Sequence, residues 1–396
     1  MVGASESYFG ACAVSLGHGD TALALLATLP LFAGSLAQAL TGPLVLLLGS
    51  RKRLVALGAL TQALSHLGFI AIATLQLKSF WLLLGLAIVY YVSGMVIAPA
   101  WGAWMGTLTE RRNRERYFAT RATFVSVSML VAFVWAGYHL RDAAAADRLS
   151  SAFALLFSIG FFARLGSVGA LIRQADPSPV LRDSLRRVMA RTRSAVRGER
   201  FKLAVLLGLW LFGAQVSIPF YAPYMLKTLA LGYDEFALLC AVLLVTKTIA
   251  FALTHRVASR FGLERILVGS IGLAAIVAYM WGSQTNMAVL VVSQALSGFA
   301  WAGYEFSSFQ LLLGSAKPRE RCEFLAMSAS LGGLMQLAGA LFGSFLLARV
   351  GLKYRDVFMV SAGLRALPLI LFIPLVLERR PETARALTPA AEPGRD

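Results

Sequence analysis

The chain is a succession of apolar runs, most about twenty residues long, separated by short stretches that carry nearly all of its charge. A helix needs about 20 apolar residues to cross a hydrocarbon core about 30 Å thick. Apolar residues make up 58% of the sequence and charged residues 14%, well away from the near-half and quarter of an ordinary soluble domain. The reading is an all-α polytopic membrane protein with twelve spans. They are expected at residues 1–17, 22–49, 54–75, 80–106, 117–139, 150–173, 202–230, 234–254, 266–282, 287–313, 323–349 and 357–377.

The net charge of +17 does not point to nucleic acid, because the arginines sit between apolar runs, where the positive-inside rule places them. One set of connections and the tail carry twenty-seven Lys and Arg, and the other set carries seven. The first set is therefore read as cytoplasmic, with both termini inside, in an inner or plasma membrane. Cys12, Cys240 and Cys322 have no metal-ligand spacing and no pairing logic, and read as small packing residues. Neither a nucleophile with its base nor a phosphate loop appears, so no enzyme activity, metal or cofactor is expected.

The chain also echoes itself at half its length. Ser93-Gly94, Arg114-Glu115-Arg116 and Phe118-Ala119 return about 204 residues on as Ser297-Gly298, Arg319-Glu320-Arg321 and Phe324-Leu325-Ala326. Phe157 and Arg164 return at the same mutual spacing as Phe358 and Arg365. Two like sets of six spanning helices are the footprint of a secondary transporter. The expected units are an N-terminal half over 1–174, a basic linker over 175–200, a C-terminal half over 201–378 and a disordered tail over 379–396.

Two segments stand apart. Residues 1–17 make about 25 Å of helix, short of the core thickness, and lack a basic flank, the first Lys or Arg being Arg51. The short run is also no secretory leader. The favoured expectation is that translation begins upstream of Met1, the alternative being a bilayer thinned around a short helix. In the linker, Leu181, Leu185, Val188 and Met189 recur at helical spacing among five arginines. Residues 180–197 are thus either an amphipathic helix on anionic inner-leaflet lipids or a solvated linker.

With twelve spans, two halves and a basic central loop, the chain resembles the major facilitator superfamily over nearly its whole length. The family's signature loop after the second helix is matched by Gly42, Leu44, Gly49 and Arg51, but Leu46 stands where the family has an acid. The second copy, Val257 to Arg265, has Ser259 in place of that acid. The resemblance implies a latch between the halves built on this acid, and its double absence argues against a latch of that kind. The fifth helix lacks the Gly-Pro motif of the drug antiporters. By resemblance, helices one, four, seven and ten line the cavity, and six and twelve are peripheral.

Ionisable groups inside spans are costly and mark function or structural pairing. Glu305, beside Trp301, Tyr304 and Phe306, is the leading candidate for proton coupling or substrate contact. A carboxylate in an apolar wall can take and release a proton near neutral pH. Alternatively Glu305 pairs with Lys247 and joins the eighth and tenth helices. Trp101, the half-repeat counterpart of Glu305, and Trp104 make a second aromatic wall. Glu6 faces the cavity if the first helix begins upstream, and is ordinary if Met1 is the start. Gln215 and Tyr221 lie where Pro219 and Pro223 bend or unwind the seventh span, giving a gate, a binding wall or a simple kink.

Arg164 and Arg365 read as structural, meeting carbonyls or snorkelling, and His66 as a packing histidine. Arg51, Lys52, Arg114, Arg116, Arg260, Arg265, Arg319 and Arg321 are the loop and gate candidates, with Arg116 and Arg321 as equivalent anchors of the two halves. The expected function is alternating-access transport of a small organic solute by a monomer in the bilayer. The alternatives are a non-transporting sensor or scaffold of the same fold, or a lipid flippase.

Overall fold

The computed structural model describes residues 1–110, 113–176, 186–187, 190 and 199–378. Helices fill it. The first span is a 3-10 turn, Glu6–Tyr8, leading into Phe9–Ser15. The second is Asp20–Ala37, a 3-10 turn Gln38–Leu40, and Thr41–Leu48. The third to sixth are Arg51–Leu75, Phe80–Leu108, Arg114–Ala145 and Leu149–Arg173. The seventh begins as Glu199–Gln215. The eighth to twelfth are Tyr233–Phe261, Leu263–Ser283, Met287–Ser315, Arg321–Ala348 and Tyr354–Glu378. Among the described residues ten helices are long and apolar enough to cross a membrane. The 180–197 stretch lies outside the described residues except for 186–187 and 190, and the tail from 379 lies outside them altogether.

Local signals set the helix starts. Ser50 Oγ accepts from Arg53 N at 3.2 Å and Asn286 Oδ1 from Ala288 N at 2.9 Å, each meeting an amide that the first turn leaves free. Glu235 does the same for Gly232 N at 3.0 Å. The reversals between the second and third and the eighth and ninth spans turn on Gly49 (φ 65°) and Gly262 (φ 85°). A positive φ favours glycine, and the two signature-type loops share that device but not one backbone shape, ψ being 8° at Gly49 and 154° at Gly262.

Packing repeats between the halves. The third span lies against the fourth and sixth, as the ninth lies against the tenth and twelfth. The second lies against the fourth as the eighth lies against the tenth. Between halves, the fifth meets the eighth and the second meets the eleventh. Phe157 is buried among Phe9, Phe69 and Phe153, and Phe358 among Tyr221, Tyr224 and Trp281. The Ser-Gly echo does not hold in space. Gly94 abuts Gln62 of the third span, whereas Gly298 abuts Leu243 and Thr246 of the eighth. Each glycine marks a close helix approach, but with a non-equivalent neighbour.

The end of the bundle that carries Arg51, Arg114 and Arg321 is called the basic end below. There one apolar cluster runs through both halves, joining Ile97, Trp104 and Phe118 to Phe251, Leu313 and Leu325. At the far end the clusters around Phe157 and Phe358 each belong to one half.

The seventh span is broken, as its prolines predict. After Gln215 it continues as a 3-10 turn, Ile218–Phe220, then Tyr221–Pro223 and a π turn, Tyr224–Thr228. Main-chain oxygens beside the break are met from the twelfth span. Arg365 donates to Ala214 O (3.1 Å), Ser217 Oγ (2.8 Å) and Ala274 O (3.0 Å), and Ser361 donates to Gly213 O (2.7 Å). Arg365 is 2% exposed, so it meets carbonyls rather than snorkelling.

Candidate functional site

A cavity of about 350 Å³ lies between the halves, toward the basic end. Its walls come from the second, fourth, seventh, tenth and eleventh spans. Met95, Leu207, Leu211 and Leu325 give it an apolar body, and Gln38, Tyr304, Ser308, Ser328 and Gln336 its polar points. No Lys, Arg, Asp or Glu lies among the described lining residues.

The break in the second span aims Gln38 into this cavity. Pro43 has no N–H and leaves a carbonyl one turn back without its helical partner. The backbone tightens into the Gln38–Leu40 turn. Thr41 Oγ1 lies 2.7 Å from Gln38 O and 2.8 Å from Val96 O, tying the break to the fourth span. Among the described residues Gln38 Oε1 and Ser328 Oγ are buried with no hydrogen-bond partner.

Glu305 sits between the cavity-lining Tyr304 and Ser308 on the tenth span. Lys247 Nζ lies 2.7 Å from its Oε1, and the two side chains are 25% and 42% exposed. The Lys247 ammonium also lies 5.8 Å from the Phe251 ring. Tyr304 stacks on Trp210 at 3.8 Å, and Trp301 meets Trp210 edge-on at 5.2 Å. The tenth span thus carries a paired charge and an aromatic wall against the seventh.

Toward the basic end the cavity is shut. Phe309 lies on Gly102 and meets Phe118 at 5.0 Å, and Leu313 fills the space over Gly106. Arginines then close the seam. Arg114 donates to Gly106 O at 2.7 Å. Arg321 donates through Nε to Leu313 O (3.1 Å) and Ala316 O (3.2 Å), and through Nη1 across the seam to Gly106 O (3.2 Å). Arg51 Nη2 reaches Pro318 O of the other half at 3.1 Å. A latch therefore exists without the family's acid, because main-chain carbonyls accept in its place.

Other candidates sit elsewhere. Trp104 is 1% exposed and donates to Ala175 O at 3.0 Å, holding the end of the sixth span rather than lining the cavity. Trp101 packs on Phe118 beneath the Arg121 guanidinium, 4.1 Å from its ring centre. Tyr221 is stacked on Phe358 at 4.7 Å within the far-end cluster, and Gln215 meets Gly339 at the break of the seventh span. Arg116 lies on an open groove along the fifth span. The equivalent of Arg321 is Arg114, not Arg116. Each donates to the carbonyl eight residues back. The Arg-Glu-Arg strings are out of step with the helix ends by two residues. Lys52 holds Gln174 O at 2.7 Å. Arg260 lies over Phe261 in its own helix, Arg265 is in the first turn of the ninth span, and Arg319 is exposed in the turn before the eleventh.

Glu6 accepts from Tyr90 Oη at 2.6 Å, within the first half. Arg164 binds Gln62 Oε1, and Gln62 O receives His66 Nδ1 at 2.7 Å. His66 Nε2 is left without a partner.

Residues 203–394 match the sequence model of the Major Facilitator Superfamily. No curated protein matches the chain by sequence. Among solved structures, the chain is similar to the human organic anion transporter MFSD10 (18% identity, TM-score 0.70, 93% of this chain and 89% of that one). It is similar to the proton:xylose symporter XylE (15%, 0.72, 94% and 90%). It is also similar to a bacterial homologue of the iron transporter ferroportin in an outward-facing state (15%, 0.73, 94% and 95%).

Proposed function

On the premise that this chain is a major facilitator superfamily protein, in fold throughout and in sequence over its second half, we propose that it is a secondary active transporter of a small organic solute. The observation that carries this reading is a cavity between the halves, closed at one end, with an ion pair outside its lining at Glu305, next in sequence to the lining residue Tyr304. The rocking units are 1–174 and 201–378, and the solute sits between them. The charge bias makes the basic end cytoplasmic, with both termini inside an inner or plasma membrane. The closed seam at that end then makes this the outward-facing state. Similar proteins named as an organic anion transporter and a proton:xylose symporter support a small-molecule cargo.

Lys247–Glu305 is the coupling element. Uptake of a proton by Glu305 would release Lys247 and unlock the eighth span from the tenth. The bond is single and only partly buried, as a switch requires, whereas a static strut would be better buried and more fully bonded. The test uses proteoliposomes screened with a panel of small organic solutes. Wild type is expected to drive uptake of at least one solute by a proton gradient. Glu305→Gln should lose gradient-driven uptake and keep exchange. If Glu305→Gln instead only lowers expression and melting temperature, and Lys247→Met relieves that loss, the pair is structural. A wild-type protein that exchanges none of the solutes removes the transporter reading.

A further inference from the structure

Gln38 and Ser328 face each other's halves across the cavity, and neither spends its buried oxygen on the protein. Gln38 is 6% exposed and Ser328 9%, and Gln38 Oε1 and Ser328 Oγ have no partner. A buried polar atom left unpaired lowers stability, and an apolar residue of the same size would raise it. Both residues line one cavity, so a single occupant against them can supply both partners. A carboxamide offers one acceptor and one donor group whichever way it is turned, and a hydroxyl offers both. The occupant must therefore carry neutral hydrogen-bonding groups such as hydroxyls or amides.

The rest of the lining decides its charge. Met95, Leu207, Leu211 and Leu325 offer no compensation to an ion leaving water. The ion pair Lys247–Glu305, closed at 2.7 Å, lies outside the lining. The volume is at the small end of ligand pockets. We propose that the cavity takes an uncharged solute with one apolar face and hydroxyl or amide groups, held by Gln38 of the first half and Ser328 of the second. This names the substrate class of the transporter reading and rests on it. Because the two contacts come from opposite halves, such a solute bridges them only in the closed-seam state.

The test is thermal unfolding of the full chain in lipid nanodiscs with an isosteric set: cyclohexanecarboxamide, cyclohexane-1,2-diol, cyclohexanecarboxylate and cyclohexylmethylammonium. The amide or the diol should raise Tm in a saturable way, and the two ions should not. Gln38→Leu and Ser328→Ala should each raise the Tm of the empty protein and weaken the neutral ligand by about tenfold. A purely structural residue would not give those opposite signs. The proposal is overturned if neither neutral member shifts Tm, if an ion shifts it as much, or if Ser328→Ala and Gln38→Leu leave the neutral shift unchanged. Proteoliposome exchange separates the two readings. A neutral ligand that binds but is never exchanged leaves this class standing and removes transport. An ion that is exchanged does the reverse.

Discussion

The carbonyl of Gly106 receives two arginines, Arg114 from its own half and Arg321 from the other. Only the second bond must break when the seam opens, because Arg114 travels with the fourth span. A hydrogen bond from a charged donor contributes about 1.5–3 kcal/mol. Arg321→Gln is thus expected to shift the closed–open balance about tenfold or more toward opening. Cysteine labelling at the Gly102 level, which Phe309 covers when closed, would report it. Arg116→Ala, at an exposed position, is expected to stay within about 0.5 kcal/mol of wild type. Equal effects of the two substitutions on labelling would contradict this assignment. Lys247–Glu305 was legible in the sequence because an acid and a base in the middle of two apolar runs have few other partners. Gln38 and Ser328 were not. Uncharged polar residues are common in apolar runs, and only the bend at Gly42-Pro43 turns Gln38 inward. Trp104 misled because an aromatic on a cavity-lining helix looks the same in sequence whether it faces the cavity or the core.

At the scale of helices, the seventh span is held broken by a residue five spans away. Arg365 and Ser361 of the twelfth span donate to the carbonyls of Ala214 and Gly213 just before the break. Removing Arg365 takes three charge-assisted hydrogen bonds from buried acceptors, of which Ala214 O keeps Ser217 N at 3.3 Å, and a hydrogen bond from a charged donor contributes about 1.5–3 kcal/mol. Arg365→Met is expected to cost about 3–5 kcal/mol and to appear as a lowered Tm in nanodiscs. Ser361→Ala should cost about 1 kcal/mol. A neutral Arg365→Met would mean the break is sustained by Pro219 and Pro223 alone. The sequence marks the break through its prolines and the Arg164–Arg365 equivalence through spacing, but not the bonds. Arg365 meets main chain, whereas Arg164 meets the side chain of Gln62. The repeat conserves the position of the charge and not its acceptor. The helix ends show the same limit. Matching the Arg-Glu-Arg strings pairs Arg116 with Arg321, while helix geometry pairs Arg114 with it, because the capped carbonyl lies a fixed eight residues back.

Across the whole molecule, among the described residues, the buried apolar cluster that both halves share lies at the basic end. The twelve-span pattern and the two halves follow from apolar run length and the half-length echo. Where the halves touch does not, because an apolar run shows that a helix is in the membrane and not which face meets a partner. The seam joins two unlike forces, rings such as Phe118 on Phe309 and arginine–carbonyl bonds. Opening it toward water would expose apolar surface, and such exposure carries a positive heat-capacity change. Apolar attraction also weakens on cooling. The open population should therefore grow as temperature falls. Spin labels at Asn113 and Arg319, both exposed beside the seam, should show a longer-distance fraction that rises on cooling and rises further in Arg321→Gln. A fraction that shrinks on cooling would mean the bonds, not the rings, set the balance. If the chain is the transporter proposed, its resting direction is tuned by the heat capacity of water, and the same sequence would keep its basic end closed more firmly in a warm membrane than in a cold one.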